Sequence, residues 1–119
     1  ASQTNGMVGV WTSVIAPGTG PDWHSHSREV EVFHVTAGTF RFWCGSDVFD
    51  GGPGATIVLP PNVPHQWKNI GTTAGEMFSF VAPGGFEQMF IEHAALGPAA
   101  TPAQMAVIDA RLGVTEGRG

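Results

Sequence analysis

Glycine and proline cut the chain into pieces too short for anything but strands as far as residue 85. The sequence holds 17 glycines and 9 prolines in 119 residues. Clusters such as APGTGP (16–21), GGPG (51–54) and PPNVP (60–64) separate short runs of β-branched and aromatic residues. Proline cannot donate to a ladder and glycine weakens a strand interior, so each cluster ends one strand and turns the chain toward the next. The runs are MVGVWTSVI (7–15), a short strand starting near Trp23, EVEVFHV (29–35), FRFWC (40–44), a brief strand around Val48 and Phe49, ATIVL (55–59), HQWKNI (65–70) and EMFSFVA (76–82). Several strands at regular intervals predict a compact antiparallel barrel or jelly roll. EVEVFHV alternates: Glu29, Glu31, Phe33 and Val35 share one face, and Val30, Val32 and His34 the other. The TAGT turn predicts that FRFWC returns as its hairpin partner.

The period changes after PGG (83–85). In FEQMFIEHAAL (86–96), Phe86, Met89, Phe90 and His93 recur at helical spacing, with Glu87 in the first turn. TPAQMAVIDARLG (101–113) carries helix signals at both ends: Thr101 as N-cap, Pro102 at the first position, Gln104 to close a capping box and Gly113 as the stop. The expected fold is therefore all-β, a barrel over about residues 7–82. One or two short C-terminal α-helices follow over about 86–113, in one domain across 1–119.

Only 13% of residues are charged against 42% hydrophobic, which excludes a solvated disordered chain and leaves apolar surface for a subunit partner. Net charge is −5 with no basic run, which argues against a nucleic-acid partner. No uninterrupted apolar segment is long enough to span a membrane. Cys44 is the single cysteine, so no intrachain disulfide forms. The start ASQTNG is neither a signal peptide nor an initiator Met, and the default expectation is a trimmed chain in a reduced cytoplasm.

The stretch 24–31, HSHSREVE, gathers groups that bind cations well and suit an apolar core badly. His24 and His26, two apart on a strand, aim at one side. A straight extension puts Glu29 and Glu31 together on the other side, so a bend or bulge within SREV is needed to bring either carboxylate in. Both carboxylates are candidates. His65 follows a rigid turn and can be brought opposite by sheet pairing. Imidazoles with a carboxylate make a donor set for Fe, Ni, Mn, Co or Zn, with positions left open for a ligand or O2.

The spacing resembles the two motifs of the cupin superfamily. Gly18, His24, His26, Glu31 and Gly38 fit the first; Gly54, Pro60, His65 and Asn69 fit the second. Asn62 stands where that motif has glycine, and asparagine tolerates positive φ. The resemblance implies a jelly-roll barrel with one divalent transition metal held by His24, His26, Glu31 and His65, which favours Glu31 and leaves Glu29 behind it or at the rim. It also implies a homodimer. The tail VAPGGFEQMFIEHA (81–94) resembles single-domain cupins of the quercetin 2,3-dioxygenase-like type.

Three functions follow from the resemblance. The first is a metal-dependent dioxygenase acting on a small phenolic or enolisable molecule with O2, Glu31 serving as ligand and base. The second is a non-redox isomerase, cyclase or lyase. The third is a ligand-binding module without turnover. Trp23, Phe33, Phe40, Phe42 and Trp67 either line a substrate pocket or fill the barrel core. Phe33 shares a face with Glu31 and Trp67 with His65, which favours these two for the pocket. Phe86 and Phe90 are expected to seal the barrel mouth or pack outside it. Arg28, His34, Asn69, His93 and Cys44 are expected to be solvated, interfacial, turn-forming, helix-capping and buried, respectively.

Overall fold

A computed structural model describes residues 2–85, 88–97 and 100–117. A 3-10 turn at Ser2–Thr4 leads into β1 (Gly9–Ile15), β2 (His24–His26), β3 (Val30–Ala37), β4 (Phe40–Cys44), β5 (Asp47–Gly51), β6 (Thr56–Leu59), β7 (His65–Asn69) and β8 (Gly75–Ala82). Two helices follow, α1 (Gln88–Leu96) and α2 (Pro102–Arg111), and then β9 (Val114–Glu116). The strands form two antiparallel sheets, in the orders β1-β8-β3-β6 and β5-β4-β7-β2-β9.

Alternation decides which side chains face inward. In β3, Glu31, Phe33 and Val35 are buried and their neighbours are less so; in β8, Gly75, Met77, Ser79 and Val81 are buried. The two inner faces meet in one cluster built on Ile15, Phe33, Val35, Phe40, Phe42 and Met77, with Ile57 and Leu59 from β6. That is an all-β jelly-roll barrel with two short C-terminal helices. Neither helix buries a described side chain completely. They lie on the barrel and are tied to each other by His93 Nε2–Asp109 Oδ1 (2.8 Å) and by an Arg111–Glu92 ion pair.

The structure corrects three local expectations. FRFWC is not the hairpin partner of EVEVFHV: β3 pairs with β8 and β6, and β4 with β5 and β7. The Gly38 turn is a corner between sheets. Its φ of +84° and the approach of Gly75, whose Cα would lie 2.9 Å from any Cβ at position 38, require glycine there. β6 alternates rather than running continuously apolar, with Val58 58% exposed on the outside. The chain also has a ninth strand, β9, which pairs along all of β2.

Helix α2 follows its sequence signals. Thr101 accepts from the Gln104 amide, the Gln104 side chain accepts from the Thr101 amide, and Pro102 opens the helix. Phe86 and Glu87 lie outside the described residues, so the expected start of α1 is seen only from Gln88.

Candidate metal centre

Two sheets contribute to one cluster. His24 and His26 come from β2, and His65 from β7 is the register partner of His24. Glu31 comes from β3, on the other sheet. Between His26 and Glu31 the chain bends at Ser27 and Arg28 and crosses from sheet to sheet. The bend that sequence reasoning required is therefore a crossover, not a bulge within one strand. One ligand atom from each of the four residues lies within 4.8 Å of all the others. Glu31 Oε1 is 2.6 Å from His26 Nε2 and 3.1 Å from His65 Nε2. The His24 ring centroid is 5.1 Å from that of His26 and 4.4 Å from that of His65.

The backbone sets two of the tautomers. His24 Nδ1 lies 2.7 Å from the Asp22 carbonyl oxygen and His65 Nδ1 lies 3.2 Å from that of Val63. A carbonyl only accepts, so each Nδ1 carries the proton, and in the neutral ring each Nε2 keeps its lone pair, the arrangement that metal-ligating histidines use. His65 Nε2 and Glu31 Oε1 then face each other, both buried and neither closing a hydrogen bond of acceptable geometry. Two lone-pair-bearing atoms in that position repel unless a positive charge lies between them. A cation satisfies both, so the residues fit a metal.

The electrostatics agree. Burial alone would raise the Glu31 pKa, but the adjacent His26 and His65 outweigh it and hold the carboxyl at about 2. Burial, reinforced by the other two imidazoles, lowers His24 against the opposing pull of the Asp22 carbonyl and Glu31. At neutral pH the centre thus presents an ionised carboxylate and a neutral His24, both ready to ligate.

Two cavities adjoin the cluster. The inner one, about 270 Å³, has Glu31 and His24 at its base and Phe33, Trp67, Trp11 and Phe90 among its walls. The outer one, about 520 Å³, lies against α1, α2 and β9 and includes Trp23, His93 and Asp109. Pro21, His24 and Met89 border both.

A cupin-domain family model matches residues 11–81, more than half of the chain. The chain belongs to the cupin family. Solved structures similar to this cupin include KdgF from Halomonas sp., with 16% identity, a TM-score of 0.65 and coverage of 70% of this chain and 74% of that one. A predicted oxalate decarboxylase from Thermotoga maritima has 18% identity and a TM-score of 0.64, over 69% of this chain and 71% of its own. A conserved Klebsiella pneumoniae protein with a double-stranded β-helix domain has 23% identity and a TM-score of 0.61, over 67% and 70%. At these identities the likeness shows the fold alone. No curated protein matches this cupin.

The aromatic residues separate into three groups. Phe33 and Trp67 line the inner cavity, their rings 5.7 Å apart. Trp23 lines the outer cavity instead. Phe40 and Phe42 line neither; both are fully buried in the core, Phe42 beside Phe33 and Phe40 beside Trp67. Glu29, just before β3, is also buried but is outside the ligand cluster. The exposed Arg28 Nε lies 3.9 Å from Glu29 Oε1.

Asn69 ties a turn. Its amide nitrogen donates to the Ile15 and Thr73 carbonyls (3.0 and 2.9 Å), and its oxygen accepts from Gly71. His34 bonds Thr56 on the outer face, and Cys44 is half-buried. Sequence reasoning missed Trp11, Ser13 and Met89 as cavity residues. The alternation of β1 carried a signal for the first two, since Trp11 and Ser13 share the face of the buried Ile15.

Proposed function

We propose that this cupin is a metal-dependent dioxygenase acting on a small phenolic or enolisable molecule. In this reading His24, His26, Glu31 and His65 hold one divalent redox-active transition metal, Fe, Ni, Mn or Co. The observation that carries it is the pair of facing, buried atoms on Glu31 and His65, with Glu31 and His24 opening onto an aromatic-walled cavity. When bound, a redox-active cation supplies Lewis acidity and the electron exchange that reaction with O2 requires.

The chain supplies the rest. Glu31 Oε1 accepts the proton from the substrate hydroxyl. The adjacent His26 and His65 keep that carboxyl ionised at neutral pH. Phe33 and Trp67 orient the substrate ring and exclude water from the developing anion. Trp11 and Phe90, with centroids 5.3 Å apart, close the wall toward α1.

A homodimer is part of the proposal. Val10, Phe80, Val32 and Val58 stand in one register row across the outer face of the four-stranded sheet, with Val10 and Val58 more than half exposed. A second copy covers that row.

The test is oxygen uptake by protein reconstituted with each metal and offered a panel of phenols and enols. Substrate-dependent O2 consumption is expected. Turnover under strict anaerobiosis refutes the dioxygenase reading and favours the non-redox one; ligand binding without turnover favours the binding module.

A further inference from the structure

The inner cavity constrains the ligand more tightly than the metal cluster does. Among the described residues, Glu31 is its one carboxylate, His24 its one imidazole and Ser13 its one hydroxyl; no lysine or arginine lines it. The remaining lining is aromatic, aliphatic or methionine. A second charge on the ligand would therefore be buried without a partner, which is costly.

Volume sets the size. A dry cavity of about 150 Å³ accepts one benzene ring. At about 270 Å³ the inner cavity holds a ring with a substituent or two fused rings, and not three. Met89, with Pro21 and His24, lines both cavities and so lies between them. It projects from α1, beyond the family match at residues 11–81. The shared barrel thus carries the ligand cluster, and the C-terminal helix closes the space over it.

We propose that the substrate is an uncharged one- or two-ring aromatic bearing an oxygen donor, and that Met89 sets its upper size. This rests on the reading of the site as one that binds an organic ligand above Glu31. Larger polycyclic ligands are excluded.

Calorimetric titration of the full chain loaded with zinc tests this, using phenol, 2-naphthol, 4-hydroxybenzenesulfonate and 3-hydroxyflavone. Phenol is expected to bind about tenfold tighter than its sulfonate. 2-Naphthol is expected to bind tighter than both phenol and 3-hydroxyflavone, by about tenfold over phenol for its added buried carbons. Met89→Ala should tighten 3-hydroxyflavone several-fold relative to phenol. Met89→Trp should weaken 2-naphthol about tenfold while phenol changes little. Should Met89→Trp fail to fold, the alanine variant decides.

Equal affinity for phenol and its sulfonate overturns the charge assignment. A uniform shift of all probes on changing Met89 overturns its role as the size limit, because a merely structural residue moves every ligand alike. Metal content, measured on the same samples, separates this inference from the reading beneath it. Selective ring binding by a chain that cannot hold zinc sinks the metal enzyme and leaves the ring site standing.

Discussion

Replacing Glu31 with glutamine in the metal-free protein should remove one specific part of its acid sensitivity. The carboxyl falls from an ordinary value of 4.5 to about 2 in the fold, where His26 and His65 outweigh the cost of burial. A depressed carboxyl favours the folded state. Its contribution is complete above pH 4.5 and is lost as pH falls through about 2. The full difference corresponds to on the order of 3 kcal/mol, and about 2 kcal/mol of it should go between pH 5 and pH 3. His24 is also depressed, from 6.5, so its contribution declines below that pH in both proteins. The assay is urea unfolding of chelator-treated protein, followed by tryptophan fluorescence at pH 5 and pH 3. Wild type should lose about 2 kcal/mol more than Glu31→Gln over that interval. Parallel losses in the two proteins would refute the charge coupling between Glu31 and the imidazoles.

Asn69→Ala removes three hydrogen bonds and strands the Ile15 and Thr73 carbonyls. It should cost about 3 kcal/mol and lower the melting temperature by roughly 10 °C, read by calorimetry. Truncation after Gly113 deletes β9, which pairs with Ser25 and with both histidines of β2. Metal affinity should drop roughly tenfold in chelator competition while far-UV circular dichroism keeps its strand signal. Val58→Lys places a charge in the exposed apolar row and should shift sedimentation from dimer toward monomer.

The fold was legible because turn residues bracket each strand and the α2 capping signals are local. Thr101, Pro102 and Gln104 act through their own neighbours, so no distant information was needed. Strand pairing is not local. The Gly38 turn satisfies a hairpin and a sheet-to-sheet corner equally well, and only the packing of β3 against β8 and β6 distinguishes them. β9 is three residues long and exists because β2 offers it an edge. At the site, the spacing of His24, His26 and Glu31 could not choose between Glu29 and Glu31. The choice rested on the family resemblance and is matched in space by the crossover at Ser27 and Arg28. Met89 gave no sign of its position, since the docking of α1 on the barrel is a tertiary event. Phe40 and Phe42 read as pocket candidates because aromatic side chains suit a core and a ligand wall alike.

Metal content of the chain purified without added metal, compared with that of His65→Ala, addresses the central claim most directly. The prediction is close to one transition-metal ion per wild-type chain and little or none in the variant, with far-UV circular dichroism unchanged. Equal occupancy in the two proteins, or a wild-type chain that takes up no metal on reconstitution, would contradict the assignment of His24, His26, Glu31 and His65 as a metal centre.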